Sequence, residues 1–146
     1  AGQVHVFDEL TSLSGDVTAL TREVLKRYMS QTKSIFLVYG PALGGKSNYA
    51  IMHGAGLRNH RTRAIDPKTT DRVNALNFKI ADGSLTINVK CIQLCKDLEQ
   101  TVWLDNGTEV DFTRGRGGAG DAVSYYIASV HPLRSSRLNV AKTFWK

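Results

Sequence analysis

The sequence predicts an α+β domain, an antiparallel sheet carrying one long N-terminal amphipathic helix and a shorter late helix. Three observations carry that expectation. Asp82-Gly83 and Asn106-Gly107 are two-residue turn dipeptides of the primed type, each flanked by runs in which apolar and polar residues alternate. From Asp16 to Gln31 the apolar residues instead recur at three- and four-residue steps.

Taken in order, Val4-His5-Val6-Phe7 reads as a short strand. Ser14-Gly15-Asp16 then offers cap chemistry for a helix over Asp16–Gln31. Val17, Leu20, Val24, Leu25, Tyr28 and Met29 form its apolar stripe, opposite Thr18, Arg22 and Lys26, and a stripe of this kind packs against a core. Ser34–Tyr39 is the next strand. Leu57–Arg72 is polar and basic, contains Pro67, and reads as a loop with one short strand.

Leu76–Cys95 reads as a hairpin turning at Asp82-Gly83. Counting outward pairs Ile80 with Leu85, Phe78 with Ile87 and Leu76 with Val89 on the apolar face. Asn77, Lys79, Thr86, Asn88 and Lys90 fall on the other face. A second hairpin, Thr101–Phe112, pairs Trp103 with Val110 and Thr101 with Phe112. Thr113–Gly120 is a basic glycine-rich loop. Asp121–Val130 is the shorter helix, ended by Pro132, and Arg137–Trp145 is a final strand.

The chain has 146 residues, 42% of them hydrophobic and 22% charged, the composition of one globular domain spanning residues 1–146. No apolar run approaches the ~20 residues of a membrane span. The start, Ala1-Gly2-Gln3-Val4-His5, lacks the pattern of a signal peptide, so a cytoplasmic or virion location is expected. Cys91 and Cys95, placed in a strand, would stand too far apart to bridge, and neither has histidines at ligand spacing. No resident metal is expected.

One motif bears directly on chemistry. Gly40-Pro41-Ala42-Leu43-Gly44-Gly45-Lys46-Ser47 spells G-x-x-x-x-G-K-S after the apolar run Ile35–Tyr39. In such loops backbone N–H groups and the lysine hold phosphates, and the serine holds Mg²⁺. Asp105, ending the run Val102-Trp103-Leu104, would be the second metal-orienting residue, so Gly40, Gly45, Lys46, Ser47 and Asp105 define an ATP or GTP site with Mg²⁺. Three features weigh against it. The helix after the loop meets Gly54 and Gly56 within about two turns. The hairpins imply antiparallel strands where a nucleotide fold uses parallel ones. Asp105 lies in turn chemistry, Leu104-Asp105-Asn106-Gly107-Thr108.

The charge balance points elsewhere. The net charge is +6 and the pI about 9.5, which suits an anionic partner such as nucleic acid. The polar face of the first hairpin has no acid except turn Asp82, and its Lys79, Lys90, Asn77, Asn88 and Thr86 could meet phosphates, sugars and bases. Arg58, Arg61 and Arg63 add phosphate contacts, as do Arg114 and Arg116 in an arginine–glycine loop. Glycine-rich basic loops are held in place most readily by neighbouring copies. The sequence therefore favours a non-catalytic, RNA-binding structural protein in a homo-oligomeric assembly, of the kind a small viral coat or nucleoprotein exemplifies. The nucleotide-binding protein is the alternative, and a protein–protein adaptor the third class.

Overall fold

The computed structural model describes residues 2–11, 15–28, 36–40, 45–57, 60–64, 67–100 and 118–133. Nine elements follow in the order β1 (Val4–Val6), α1 (Val17–Tyr28), β2 (Phe36–Gly40), α2 (Gly45–Gly54), β3 (His60–Ala64), α3 (Thr69–Ala81), β4 (Leu85–Ile87), α4 (Ile92–Gln100) and α5 (Gly118–Val130). The described chain is mostly helical. Its four strands form two separate two-stranded sheets, β1–β4 and β2–β3, and both pairs are parallel.

This corrects the expected antiparallel sheet. Residues 76–90 do not fold back as a hairpin; Thr69–Ala81 is helix α3, which leads through a turn into β4 beside β1. Asp82-Gly83 is the end of that helix. Asp82 donates its N–H to Phe78 O at 3.0 Å and Gly83 to Ile80 O at 3.2 Å, with Gly83 at φ +73°. A glycine in the left-handed region closes a helix as readily as it turns a hairpin. The Asp82 carboxylate completes the turn by accepting from Ser84 N at 2.8 Å. Nor is the first helix exceptional in length: α1 has 12 residues, α3 and α5 have 13 each.

The buried face of α3 explains both its stability and its disguise. Arg72, Ala75, Leu76 and Lys79 are all buried, at the i, i+3, i+4, i+7 positions of one helix face. Two of these four are cations, so the apolar stripe is half hidden. Ala75 and Leu76 meet Ile127 of α5, with Leu85, Leu98, Val123, Tyr126 and Ala128 packed around them. Arg72 is bonded in this interface: its guanidinium ion-pairs with Asp121, donates to Ser124 Oγ at 3.0 Å and to Thr69 Oγ1 at 3.3 Å, and lies 4.0 Å from the centre of the Tyr125 ring. Lys79 donates from Nζ to Gly2 O at 2.7 Å.

Three helix starts are capped by carboxylates. Asp16 accepts from Ala19 N at 3.1 Å at the start of α1. Glu9 reaches across the chain to accept from Gln93 N and Leu94 N at 2.8 and 2.9 Å at the start of α4. Asp97, in α4, accepts from Ala119 N at 2.8 Å and Gly120 N at 3.3 Å in the first turn of α5. Cys91 and Cys95 fall at the start and in the first turns of α4, where Cys95 N bonds to Cys91 O. They are therefore one helical turn apart rather than spread along a strand, and both are free thiols. Burial pushes the Cys91 thiol up from its ordinary pKa, and Glu9 and Asp8 nearby add to that.

No helix among the described residues is long and apolar enough to cross a membrane. The expected second hairpin, Thr101–Phe112, and the expected strand Arg137–Trp145 lie outside the described residues.

Candidate phosphate-binding site

The motif Gly40–Ser47 joins a strand to a helix. The β-branched and aromatic residues Phe36-Leu37-Val38-Tyr39 favour an extended chain, and β2 runs to Gly40, the first motif glycine. Helix α2 opens at Gly45, so Gly45, Lys46 and Ser47 make its first turn. The opening amides of a helix have no partner within it, and the aligned peptide dipoles make that end electropositive. The first turn of α2 contains no acidic residue, so nothing there opposes an anion. Residues 41–44, which complete the loop, lie outside the described residues.

The neighbouring strand completes the unit. β3 runs parallel to β2, with Phe36 level with His60 and Gly40 level with Ala64. Both strands therefore end together on the side where the loop leaves and α2 begins. In open sheets built from parallel strands that carboxyl edge is where ligands bind. One of the three features that spoke against a nucleotide site thus falls away: the strands are parallel. The short helix stands as expected, since α2 ends at Gly54 after 10 residues. Ala55 N, Gly56 N and Leu57 N bond back to Ile51 O, His53 O and Met52 O, and Gly56 takes φ +116°, the closing geometry of a helix C-terminus.

Gly40 is buried, and a Cβ built on it would meet the Tyr49 hydroxyl at 3.0 Å. Tyr49 is half-buried. It comes from the second turn of α2 and reaches back to the end of β2. The sequence reading passed over it. The signal was its place four residues after Gly45, on the same side of the helix, because helical side chains lean towards the helix start. Ser47 is exposed. Tyr39, next to Gly40, packs edge-on against Tyr126 of α5, with ring centres 5.1 Å apart, which ties the strand to the rest of the core.

Among the described residues, Asn77, Lys79, Thr86, Asn88 and Lys90 do not form the single hairpin face expected of them. Asn77 and Lys79 are two apart on α3, about 200° round the helix; Asn77 is exposed and Lys79 is buried on Gly2 O. Thr86 stands in β4, with His5 Nδ1 2.8 Å from its hydroxyl. Asn88 accepts from Lys90 N at 3.0 Å, and Lys90 pairs with Asp8 at 3.6 Å. Arg61 and Arg63 lie in β3, in register with Leu37 and Tyr39. Arg58, Asp105, Arg114 and Arg116 lie outside the described residues.

Elsewhere the main electrostatic feature is Asp8. The Tyr28 hydroxyl above all, then the Arg27 guanidinium, the Glu9 amide and the Lys90 ammonium, lower its pKa from an ordinary 3.8 to about 2, against the opposing effect of burial. The same bond raises the Tyr28 hydroxyl. Among the described residues no group of three or more His, Cys, Asp or Glu is placed to hold a metal. No family model, no curated protein and no solved structure matches this chain.

Proposed function

We propose that the chain binds the phosphates of a nucleotide, ATP or GTP, at the junction of β2 and α2. The observation that carries this reading is that G-x-x-x-x-G-K-S sits between a strand and a helix start, beside a parallel neighbouring strand. In this reading the opening amides of α2 receive phosphate oxygens. The Lys46 ammonium meets the terminal phosphates, and the Ser47 hydroxyl is a ligand for Mg²⁺, which would offset phosphate charge when bound. Binding is the activity proposed; the acid expected to help hold the metal for hydrolysis, Asp105, lies outside the described residues.

Equilibrium dialysis against ATP and GTP with MgCl₂ tests this. The wild-type chain should take up one of them, and Lys46→Ala should weaken uptake by about tenfold or more, the loss of one charge-assisted contact. A wild-type chain that takes up neither would end the reading.

RNA binding within a homo-oligomer is the second reading, favoured by the net charge of +6 and by Arg61 and Arg63 in β3. It predicts protein purified at low salt with excess absorbance at 260 nm, and an affinity that falls steeply with salt. A protein-like spectrum and a flat salt response would count against it.

A further inference from the structure

We infer that the free edge of β1 receives an extended, basic peptide segment of a partner protein as an added strand. β1 pairs with β4, and the described residues place no strand on its other side. Val4 and Val6 face β4: Val4 N donates to Ser84 O and Val6 O accepts from Asn88 N, both at 2.8 Å. Backbone groups turn to alternate sides along a strand, so those of Gln3, His5 and Phe7 point away from β4. All three residues are exposed. The His5 ring turns towards β4, where its Nδ1 stands 2.8 Å from Thr86 Oγ1. An open strand edge is a template for another chain.

A groove follows that edge. Residues 3–8 line it in unbroken order, opposite Ala122, Val123 and Tyr126 of α5, around about 420 Å³. Consecutive residues include both faces of a strand, and no residue of β4 lines the groove, so it runs along the unpaired side. It continues into a recess of about 560 Å³ between the starts of α4 and α5, and the two share Val6, Asp8, Ala122 and Val123. The α5 wall is apolar, a surface on which the side chains of an added strand can rest. The groove shares no residue with the junction of β2 and α2, so the inference stands whether or not nucleotide binds there.

Charge selects the occupant. Asp8, Glu9 and Asp97 line the recess, and no lysine or arginine lines either stretch, in a chain whose net charge is +6. Arg27 and Lys90 offset Asp8. Glu9 bonds to uncharged groups, the amides of Gln93 and Leu94. A basic segment is attracted here and an acidic one repelled.

Fluorescence anisotropy of a labelled peptide, Lys-Val-Thr-Val-Thr-Val-Lys, tests this. Its controls are Glu-Val-Thr-Val-Thr-Val-Glu and the basic peptide with its central amides methylated. The basic peptide should bind about tenfold more tightly than either control. Two variants of the chain locate the contact. His5→Pro removes an edge donor and spares the bonds of Val4 and Val6 to β4. Ala122→Arg extends a long cation into the groove from an exposed helix position, where arginine suits the helix. Each should weaken binding of the basic peptide by about tenfold, with Tm measured alongside; should His5→Pro fail to fold, Ala122→Arg decides. No binding of the basic peptide, equal binding of either control, or full binding by Ala122→Arg would overturn the inference. So would a dimer on a sizing column that His5→Pro converts to monomer, because a second copy of the chain would then hold the edge.

Discussion

Helix α2 leaves Ser47, Asn48, Ala50, Ile51, His53 and Gly54 exposed, whereas α3 and α5 bury Arg72, Ala75, Leu76, Lys79, Ser124 and Ile127. The first region carries the motif with chemistry in it; the second carries the core. The exposed region also has the simpler electrostatics: no acid stands in the first turn of α2. In the buried region each charged side chain is engaged, Arg72 by Asp121, Ser124 and Thr69, Lys79 by Gly2 and Asp97 by Gln93, Ala119 and Gly120. Buried polar atoms must be bonded or they destabilise, and binding atoms must be reachable. The two demands fall here on different parts of the molecule, although Arg72 Nε is buried without a hydrogen-bond partner, so their mutants should separate.

The largest effect should come from the Arg72–Asp121 pair, whose guanidinium is buried and whose carboxylate is 32% exposed. Asp121→Ala leaves the Arg72 guanidinium with hydroxyl partners and the Tyr125 ring, at a cost of about 2–3 kcal/mol; urea denaturation would measure it, and a loss under 1 kcal/mol would show that the α3–α5 contact does not depend on charge. Asp97→Ala removes the cap of α5 and the partner of Gln93, for about 2 kcal/mol by the same measurement.

The third effect is a pH dependence. Asp8 has its pKa depressed to about 2, so its contribution is complete above its ordinary 3.8 and is lost as pH falls through about 2. Asp8→Asn should flatten that acid limb in a pH series of thermal melts, and an unchanged limb would assign it to other carboxylates.

The smallest effect sharpens the contrast most. A cation at a helix N-terminus opposes the helix dipole, so Lys46→Ala should leave stability unchanged or raise it by about 0.5 kcal/mol, while nucleotide binding falls. A variant that lost stability and binding together would break the separation of the two regions.

The sequence announced the exposed region better than the buried one. The apolar run into Gly40, the glycine loop and the capping role of Asp16 all stand in local residue types, and local residue types are what a reader of sequence sees. The α3 face could not be recognised that way, because Arg72 and Lys79 occupy two of its four inward positions and each bonds to a partner far along the chain, the Asp121 carboxylate and the Gly2 carbonyl. Asp82-Gly83 compounded the error, since the same dipeptide suits a hairpin turn and a helix end. The alternation of Phe78, Ile80, Leu85 and Ile87 then looked like two strands, when Phe78 and Ile80 are exposed residues of α3.

The carboxylate of Glu9 holds the amides of Gln93 and Leu94, 84 and 85 positions away. Helix α4, nine residues long, is too short to persist by itself in water. Its first turn is secured by a residue near the start of the described chain, so its amides should exchange with solvent in step with those of β1. Closing so distant a contact is slow, and the chain should gain α4 late, in the same cooperative event that seats its first ten residues.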